Sequence, residues 1–430
     1  MVEREVIRRI IIEGQEFVNE ISLTERPFFF EQKGNYVFVG IRQAGKSYLL
    51  YQRIQQLLRE EHNINEIVYI NFDDERLRQM TADDLDLILQ AYHSLFDLRP
   101  LLFFDEIQNI EGWEHFARRL ANQKYNIYIT GSNAKMLSRE IATTLGGRFW
   151  NKDVYPYSFA EYLNARNIIL SKNWIYGKQA AEVSKAFNDY FLYGGFPELT
   201  DVIAKRVWLN DIYSKIFFSD LIVRNKVRNE EALGLLVRRL AENVKQPISY
   251  TRLANLISSI GIKISKATVI EFIRYLKESC LIFPIENYAA KFAERNSNMK
   301  HYFIDNGLLS IFLLDGNTSL LENIVAIHLY KRYGAQLYFY NQNIEVDFII
   351  PEAKTAIQVS YSLMDETTCR REVEGLIKLN RVFPMDNMCI ITRDEERIIT
   401  HERGVSIHVI PRSEERRVGK ECRSRWSPYH

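Results

Sequence analysis

The sequence predicts an α/β protein: a parallel, doubly wound sheet first, a mostly helical middle, and a second α/β region at the end. Three observations predict it. Apolar strand-like runs at 36–39, 67–72, 101–104 and 125–130 alternate with helical stretches, the pattern that gives parallel sheets with ligands at the strand C-termini. After Tyr157 the pattern turns helical, broken by the turn Gly194-Gly195-Phe196-Pro197. Beyond Gln336, strand-like runs return, followed by a helix over 367–380. At 430 residues the chain is too long for one ordinary core. It divides as 1–157, 158–290 and 291–411, with a tail over 412–430.

The first region carries the most specific signal. Tyr36 to Val39 are apolar and strand-like, and Gly40-Ile41-Arg42-Gln43-Ala44-Gly45-Lys46-Ser47 fits G-x-x-x-x-G-K-[ST]. An amphipathic helix pattern follows from Tyr48 to Leu58. In that strand–loop–helix context the glycines let backbone N–H groups close around phosphates at a helix N-terminus. Lys46 offsets β/γ charge, and the Ser47 hydroxyl reaches Mg²⁺. The expected cofactors are therefore ATP and Mg²⁺.

Leu101 to Phe104 form a buried-strand run that ends in Asp105 and Glu106. Asp105 is expected in the Mg²⁺ shell and Glu106 as the group that orients and polarises the attacking water. Phosphoryl transfer needs positioning and charge neutralisation more than covalent help. The strand over 125–130 ends in Gly131-Ser132-Asn133. Ser132 and Asn133 can sense the γ-phosphate or simply form a turn. A strand between the P-loop strand and the acidic strand, together with a catalytic Glu, points to the AAA-like branch of P-loop ATPases. Arg148, in LGGRFW, is either an arginine finger or a solvated loop arginine. A finger acting on a neighbour's nucleotide would make the protein a homo-oligomer.

These segments carry a family resemblance. GIRQAGKS, FFDEIQNIEGW, ITGSN, SREIATTLGGRF and YPYSFAEYL stand in the order found in AAA_14-type bacterial and archaeal ATPases, which a DUF4143 domain follows. The match continues through YFLYGGFPEL, HYFIDNGLL, LLENIVAIHLYKR and EVDFII, to about Pro411. The resemblance implies ATP binding, hydrolysis, and a C-terminal fold like that of restriction endonucleases.

In the middle region, residues 248–288 have a helix–turn–helix cadence. A short helix at Thr251 to Ser258, a turn through Gly261, Ser265 as N-cap, a helix from Lys266 to Ser279 and a strand in CLIFPIENY together suggest a winged helix. Residues 245–277 hold six basic side chains (Lys245, Arg252, Lys263, Lys266, Arg274 and Lys277) against Glu271. Lys266 and Arg274 could contact the phosphates of DNA. Winged helices also serve as protein–protein adaptors, so the expected partner is DNA or a protein.

The last region follows a nuclease-like order: a helix with Glu322, a strand over 336–340, EVDFII, the IQVS strand and a helix over 367–380. Alternation puts Glu345 and Asp347 on one face. Metal-assisted hydrolysis would use Glu322, Asp347 and the first residue of the next triplet, with a lysine beside them. Here that triplet is Gln358-Val359-Ser360. Gln358 offers only a neutral oxygen, and Ser360 no positive charge. Lys331 or Lys354 would have to supply it. The expectation is an inherited scaffold with its chemistry largely lost.

Bulk composition agrees. With 56 basic and 55 acidic residues, the net charge of +1 excludes a strongly basic nucleic-acid coat but permits a local basic patch. Cys280, Cys369, Cys389 and Cys422 lie far apart, in neither a zinc nor a disulfide pattern. No apolar run is long enough to span a membrane, and MVEREVIRRIII is too charged for a signal peptide. The cytoplasm is the expected location. The tail SEERRVGKECRSRWSPYH lacks apolar periodicity and reads as non-native sequence. Altogether the sequence points to an ATP-dependent switch acting on nucleic acid or a partner protein. The alternatives are an ATP-gated DNA nuclease and a signalling or defence scaffold with little turnover.

Overall fold

The computed structural model describes residues 2–412 apart from 133–135, 137–138, 172–173, 296 and 402–404. Asn133 and the tail over 413–430 therefore lie outside the described residues. The chain forms two compact units.

The first unit comprises Met1–Asn167 with Phe196–Thr200 and Lys277–Cys280. Its elements run α1 (Arg4–Glu20), β1 (Asn35–Val39), α2 (Lys46–Arg59), β2 (Ile67–Asn71), α3 (Asp86–His93), β3 (Leu101–Asp105), α4 (Trp113–Asn122), β4 (Ile127–Gly131), α5 (Arg139–Leu145), β5 (Phe149–Asp153) and α6 (Phe159–Ala165). The sheet order is β2-β3-β4-β1-β5, with every pair parallel. Strands β1 to β4 are almost continuously apolar because both their faces are covered, as parallel sheets require. Strand β4 separates the P-loop strand from the acidic strand, as the sequence predicts.

Helix α1 forms from the charged N-terminal stretch. Ile7, Ile10, Ile11, Gly14 and Val18 recur at helical spacing and are buried. Gly14 allows a close approach: a Cβ there would stand 3.0 Å from the Tyr69 carbonyl oxygen.

The second unit comprises Ile168–Gly195, Asp201–Leu276 and the chain from Leu281 onward. It opens with α7 (Gln179–Tyr193), α8 (Lys205–Lys215), α9 (Glu230–Glu242), β6 (Ile248–Ser249), α10 (Tyr250–Ser258) and α11 (Lys266–Glu278). The single helix expected over 209–224 starts at Lys205 and passes at Ile216 into a π-helical stretch to Val223. Ser265 accepts a hydrogen bond from the Thr268 N–H at the start of α11. Next come β7 (Ile282–Asn287), α12 (Phe292–Arg295), β8 (Asn298–Phe303), α13 (Asn306–Ser310), α14 (Asn317–Tyr333), β9 (Tyr338–Asn341), β10 (Glu345–Ile350), β11 (Thr355–Val359), α15 (Glu366–Val382), β12 (Asn387–Thr392), β13 (Arg397–His401) and β14 (Val405–Pro411).

These strands make one sheet of order β13-β14-β12-β11-β10-β9-β7-β8-β6. The β7–β8 hairpin, on either side of position 290, is joined to the later strands by a parallel pairing of β7 with β9. No helix of the described residues is long and apolar enough to cross a membrane.

Candidate functional site

Residues 40–45 join β1 to α2, and glycine is needed at both ends of the loop. A Cβ on Gly40 would lie 2.0 Å from the Val154 carbonyl oxygen. Gly45 has a φ of +90° and, as the N-cap of α2, brings no side chain to the helix start. The first-turn N–H groups are thus left for an anion. Gln43, with φ at 61°, also takes a left-handed conformation uncommon outside glycine. Buried Ile41 and Ala44 anchor the loop.

Lys46 is 4 % exposed, so its ammonium must find partners inside. It donates to the Ile41 carbonyl at 3.2 Å and stands 3.5 Å from Glu106 Oε1. Asp105 closes β3 and is also buried. It accepts from the Tyr69 hydroxyl at 2.9 Å, from Thr130 Oγ1 and from Ser47. Burial, then the neighbouring Glu106 charge, pushes the Asp105 carboxyl up, against the pull of those three hydroxyls. A cation here would relieve that cost. Hydroxyl and carboxylate oxygens are the hard donors Mg²⁺ takes, and Ser47 and Asp105 supply one of each.

Glu106 follows at φ 52°, which turns its side chain out of the strand. Burial would raise its carboxyl. The Lys46 charge, hydrogen bonds from Gln108 and Ser132 and the Arg42 charge outweigh burial and hold it below its usual range. Gln108 Nε2 donates to Glu106 and, at 3.3 Å, to buried Ser132, while its Oε1 is buried without a hydrogen bond. The fold thus brings together Gly40 to Ser47, Asp105, Glu106 and Ser132.

Arg148 lies elsewhere. It is exposed, donates to the Gly146 carbonyl at 3.0 Å and immediately precedes edge strand β5. Phe149 pairs with Asn35 at the start of β1, whereas the P-loop leaves its far end. Four strand steps, roughly 13 Å, separate the two levels.

Sequence reasoning missed four contributors: Tyr69, Thr130, Gln108 and Arg26. Arg26 Nε reaches Glu161 Oε1 at 2.7 Å, Nη1 the Ala44 carbonyl at 3.2 Å and Nη2 the Tyr155 carbonyl at 3.1 Å. Its backbone is clamped by Gln52 at 2.8 and 2.9 Å. One guanidinium therefore ties the P-loop to the segment leading into α6, a planar fork no lysine reproduces.

In the second unit, Glu322 of α14 and Glu345 and Asp347 of β10 do meet, as the sequence predicts, but the lysine beside them is neither of the two expected. Lys354 stands exposed, 3.8 Å from the Asp386 carboxylate. Lys331 is in the last turn of α14, where its charge acts on Asp305. The lysine is Lys300 of β8, fully buried. Nor is the Gln358 oxygen free: Oε1 accepts from the Asp347 N–H at 2.9 Å, and Nε2 donates to the Glu345 carbonyl.

Comparison with known proteins adds the following. Residues 32–163 match the model of an AAA domain. Residues 184–319 match a domain of unknown function, DUF8612, which replaces the DUF4143 implied by the resemblance; its description carries no nuclease activity. An uncharacterized Methanocaldococcus jannaschii protein, MJ1544, is 32% identical over 428 residues, covering 96% of this chain and 95% of that protein. An uncharacterized Haemophilus influenzae protein is 30% identical over 354 residues, covering 80% and 86%. Among solved structures, the Walker-type ATPase PABY2304 of Pyrococcus abyssi aligns at 14% identity over 73% of this chain and 96% of its own, with a TM-score of 0.40. The Aeropyrum pernix ORC1 protein, solved in complex with DNA, aligns at 14% over 76% and 94%, with a TM-score of 0.28.

Proposed function

The chain belongs to one family with the M. jannaschii MJ1544 protein, its N-terminal part is an AAA domain, and we propose that it is a Mg²⁺-dependent ATPase working as a molecular switch. One observation carries the reading: a buried Lys46 at a glycine-capped helix start, 3.5 Å from a Glu106 held ionised, beside the Ser47–Asp105 pair. The N–H groups of residues 40–47 and Lys46 would hold the phosphates. Ser47 and Asp105 would hold Mg²⁺, which would supply positive charge against the phosphates. Glu106 would orient water and accept its proton, with Gln108 and Ser132 keeping that carboxylate in place. Lys46 stands 3.5 Å from Glu106, so bound phosphate would compete for Lys46 and free the carboxylate for water.

A DNA or protein target rests on α9, β6, α10, α11 and the β7–β8 hairpin, whose order supports the winged-helix reading. Arg252, Lys263, Lys266 and Arg274 are exposed there. Lys245 is instead bonded to Thr318 Oγ1 at 3.0 Å. Phosphate release, measured with Mg²⁺ and again with EDTA, tests the ATPase; loss of turnover in EDTA is expected. Adding single- or double-stranded DNA at a series of stated salt concentrations tests the partner, since contacts to DNA phosphates weaken as salt rises. A salt-sensitive change in rate supports DNA, and an unchanged rate favours a protein partner. The DNA itself should stay intact, because the nuclease-like site is read as degenerate.

Arg26→Ala should weaken nucleotide binding about tenfold, a loss of about 1.4 kcal/mol, while leaving kcat within a factor of about two. It frees the Ala44 carbonyl and so loosens the loop rather than the chemistry. Titration with a fluorescent ATP analogue checks this, and Arg26→Lys should fail to restore affinity. An unaltered Kd would leave Arg26 a purely structural residue.

Arg148, on the sheet edge and far from its own P-loop, suits a finger given to a neighbouring subunit. Specific activity should then rise with protein concentration. Arg148→Ala should bind ATP normally, hydrolyse it at least about a hundredfold more slowly, and suppress wild-type subunits when mixed with them. Turnover that is independent of concentration, with Arg148→Ala fully active, would make it a surface arginine.

A further inference from the structure

The carboxyl cluster of the second unit surrounds a cation that belongs to the chain. Lys300 Nζ stands 3.2 Å from Glu322 Oε1, 3.1 Å from Asp347 Oδ1 and 3.6 Å from Glu345 Oε1. Tyr302 donates to the same Glu322 oxygen at 2.7 Å. The second oxygen of Asp347 accepts from the Val359 N–H at 2.9 Å, which fixes the carboxylate against β11. Burial alone would push the ammonium down; the charges of Glu322, Asp347 and Glu345 outweigh it and hold Lys300 protonated. Glu322, Glu345 and Asp347 line a cavity of about 690 Å³ together with Arg371 and Lys378 of α15.

An ammonium at 3.1–3.6 Å from three carboxyl groups occupies the point at which a divalent ion would have to sit. Such an ion needs oxygens at about 2.0–2.6 Å. Both cations cannot share that point. Gln358 adds to this: a neutral amide, used up by backbone hydrogen bonds, spares the cluster a further negative charge.

We propose that Lys300 is the permanent cation of this carboxyl cluster, joining Glu322, Glu345 and Asp347 in place of a divalent ion, and that removing its ammonium converts the three carboxyl groups into a site for a hard divalent cation. Charge balance explains why three strands and a helix converge here. Glu322 is buried, and a carboxylate there is stable only with an internal counter-charge, which β8 delivers from a position remote in sequence. The idea is independent of ATP hydrolysis and needs no catalysis by this unit.

Mn²⁺ is the probe, applied to the full-length, nucleotide-free protein and read by electron paramagnetic resonance and thermal unfolding. Wild type should take up no Mn²⁺ that depends on Asp347. Lys300→Ala should bind one ion and show a melting midpoint that rises with Mn²⁺, and Lys300→Ala/Asp347→Asn should lose both effects. Asp347-dependent Mn²⁺ binding by the wild type would overturn the proposal, as would a folded Lys300→Ala that binds none. A second measurement covers the case in which Lys300→Ala does not fold. Glu322→Gln should lower the urea midpoint of the wild type but raise that of Lys300→Met, since only there is its charge unopposed. A shift in the same direction in both backgrounds would show that Lys300 is not the counter-charge.

Discussion

Glu106→Gln is expected to keep ATP bound and to lose turnover by about 10²–10⁴-fold, the usual worth of a positioned general base. Lys46→Ala should instead lose the nucleotide itself, by at least about a hundredfold in Kd. The split follows from where each group acts. Lys46 is buried at the P-loop and, on the proposed function, would meet phosphate in the ground state, whereas Glu106 would matter when water attacks. Glutamine keeps the size and the hydrogen-bonding oxygen of Glu106 but cannot take a proton. It also removes a charge next to Asp105, whose carboxyl that charge pushes up, so Mg²⁺ binding should not suffer from poorer ionisation of Asp105. The Glu106 carboxyl sits below its ordinary 4.5. As pH falls, activity should therefore decline first through protonation of Asp105, whose carboxyl burial pushes up, and through Glu106 only below the ordinary glutamate range. Equilibrium binding of labelled ATP alongside phosphate release separates the two variants. A Glu106→Gln protein that hydrolyses ATP at the wild-type rate would remove Glu106 from the role.

What the sequence disclosed and what it hid divide along contact range. Gly40 to Ser47 form one contiguous loop between a strand and a helix, so their spacing carries their geometry. Asp105 and Glu106 were legible because an apolar run fixes where β3 must end. Arg26, Tyr69 and Thr130 reach the same site from other segments, and nothing local in SLTERPFF or IVYINF announces a bond to Ala44 or to Asp105. Lys300 is the sharpest case. Local sequence points to a lysine near the acids, at 331 or 354, while the chain supplies it from β8 through a sheet joined by the pairing of β7 with β9. A signal did exist, since NMKHYFI sets one lysine in an otherwise buried strand, and a lysine is rarely buried without a partner. Helix α1 left a signal as well, since its isoleucines recur at helical spacing.

Asp305→Ala should be among the most destabilising single substitutions in the second unit. Asp305 is 3 % exposed and accepts three backbone N–H groups: Gly195 at 2.7 Å on one oxygen, Gly307 at 2.8 Å and Leu308 at 3.4 Å on the other. Two motifs far apart in sequence, YGGFPEL and FIDNGLL, are interlocked by that one carboxylate. The fit is close, for a Cβ on Gly194, itself at φ +78°, would lie 2.0 Å from Asp305 Oδ1. Asn306 extends the joint by donating to the Phe191 and Leu320 carbonyls, both at 3.0 Å. Each buried donor left unpaired costs about 1–3 kcal/mol, and partial relaxation makes the sum about 3–5 kcal/mol. That is a large share of the ~5–15 kcal/mol that holds a domain folded. Asp305→Asn should fall between: its single carbonyl oxygen can serve Gly307 and Leu308, but its amide then presents hydrogens to the Gly195 N–H. Lys378→Ala, which breaks an exposed pair with Glu374, is the control and should cost under ~1 kcal/mol. Urea unfolding followed by hydrogen exchange in α7 and α13 ranks the three. If Asp305→Ala unfolds no more easily than Lys378→Ala, the carboxylate is not what joins the two motifs.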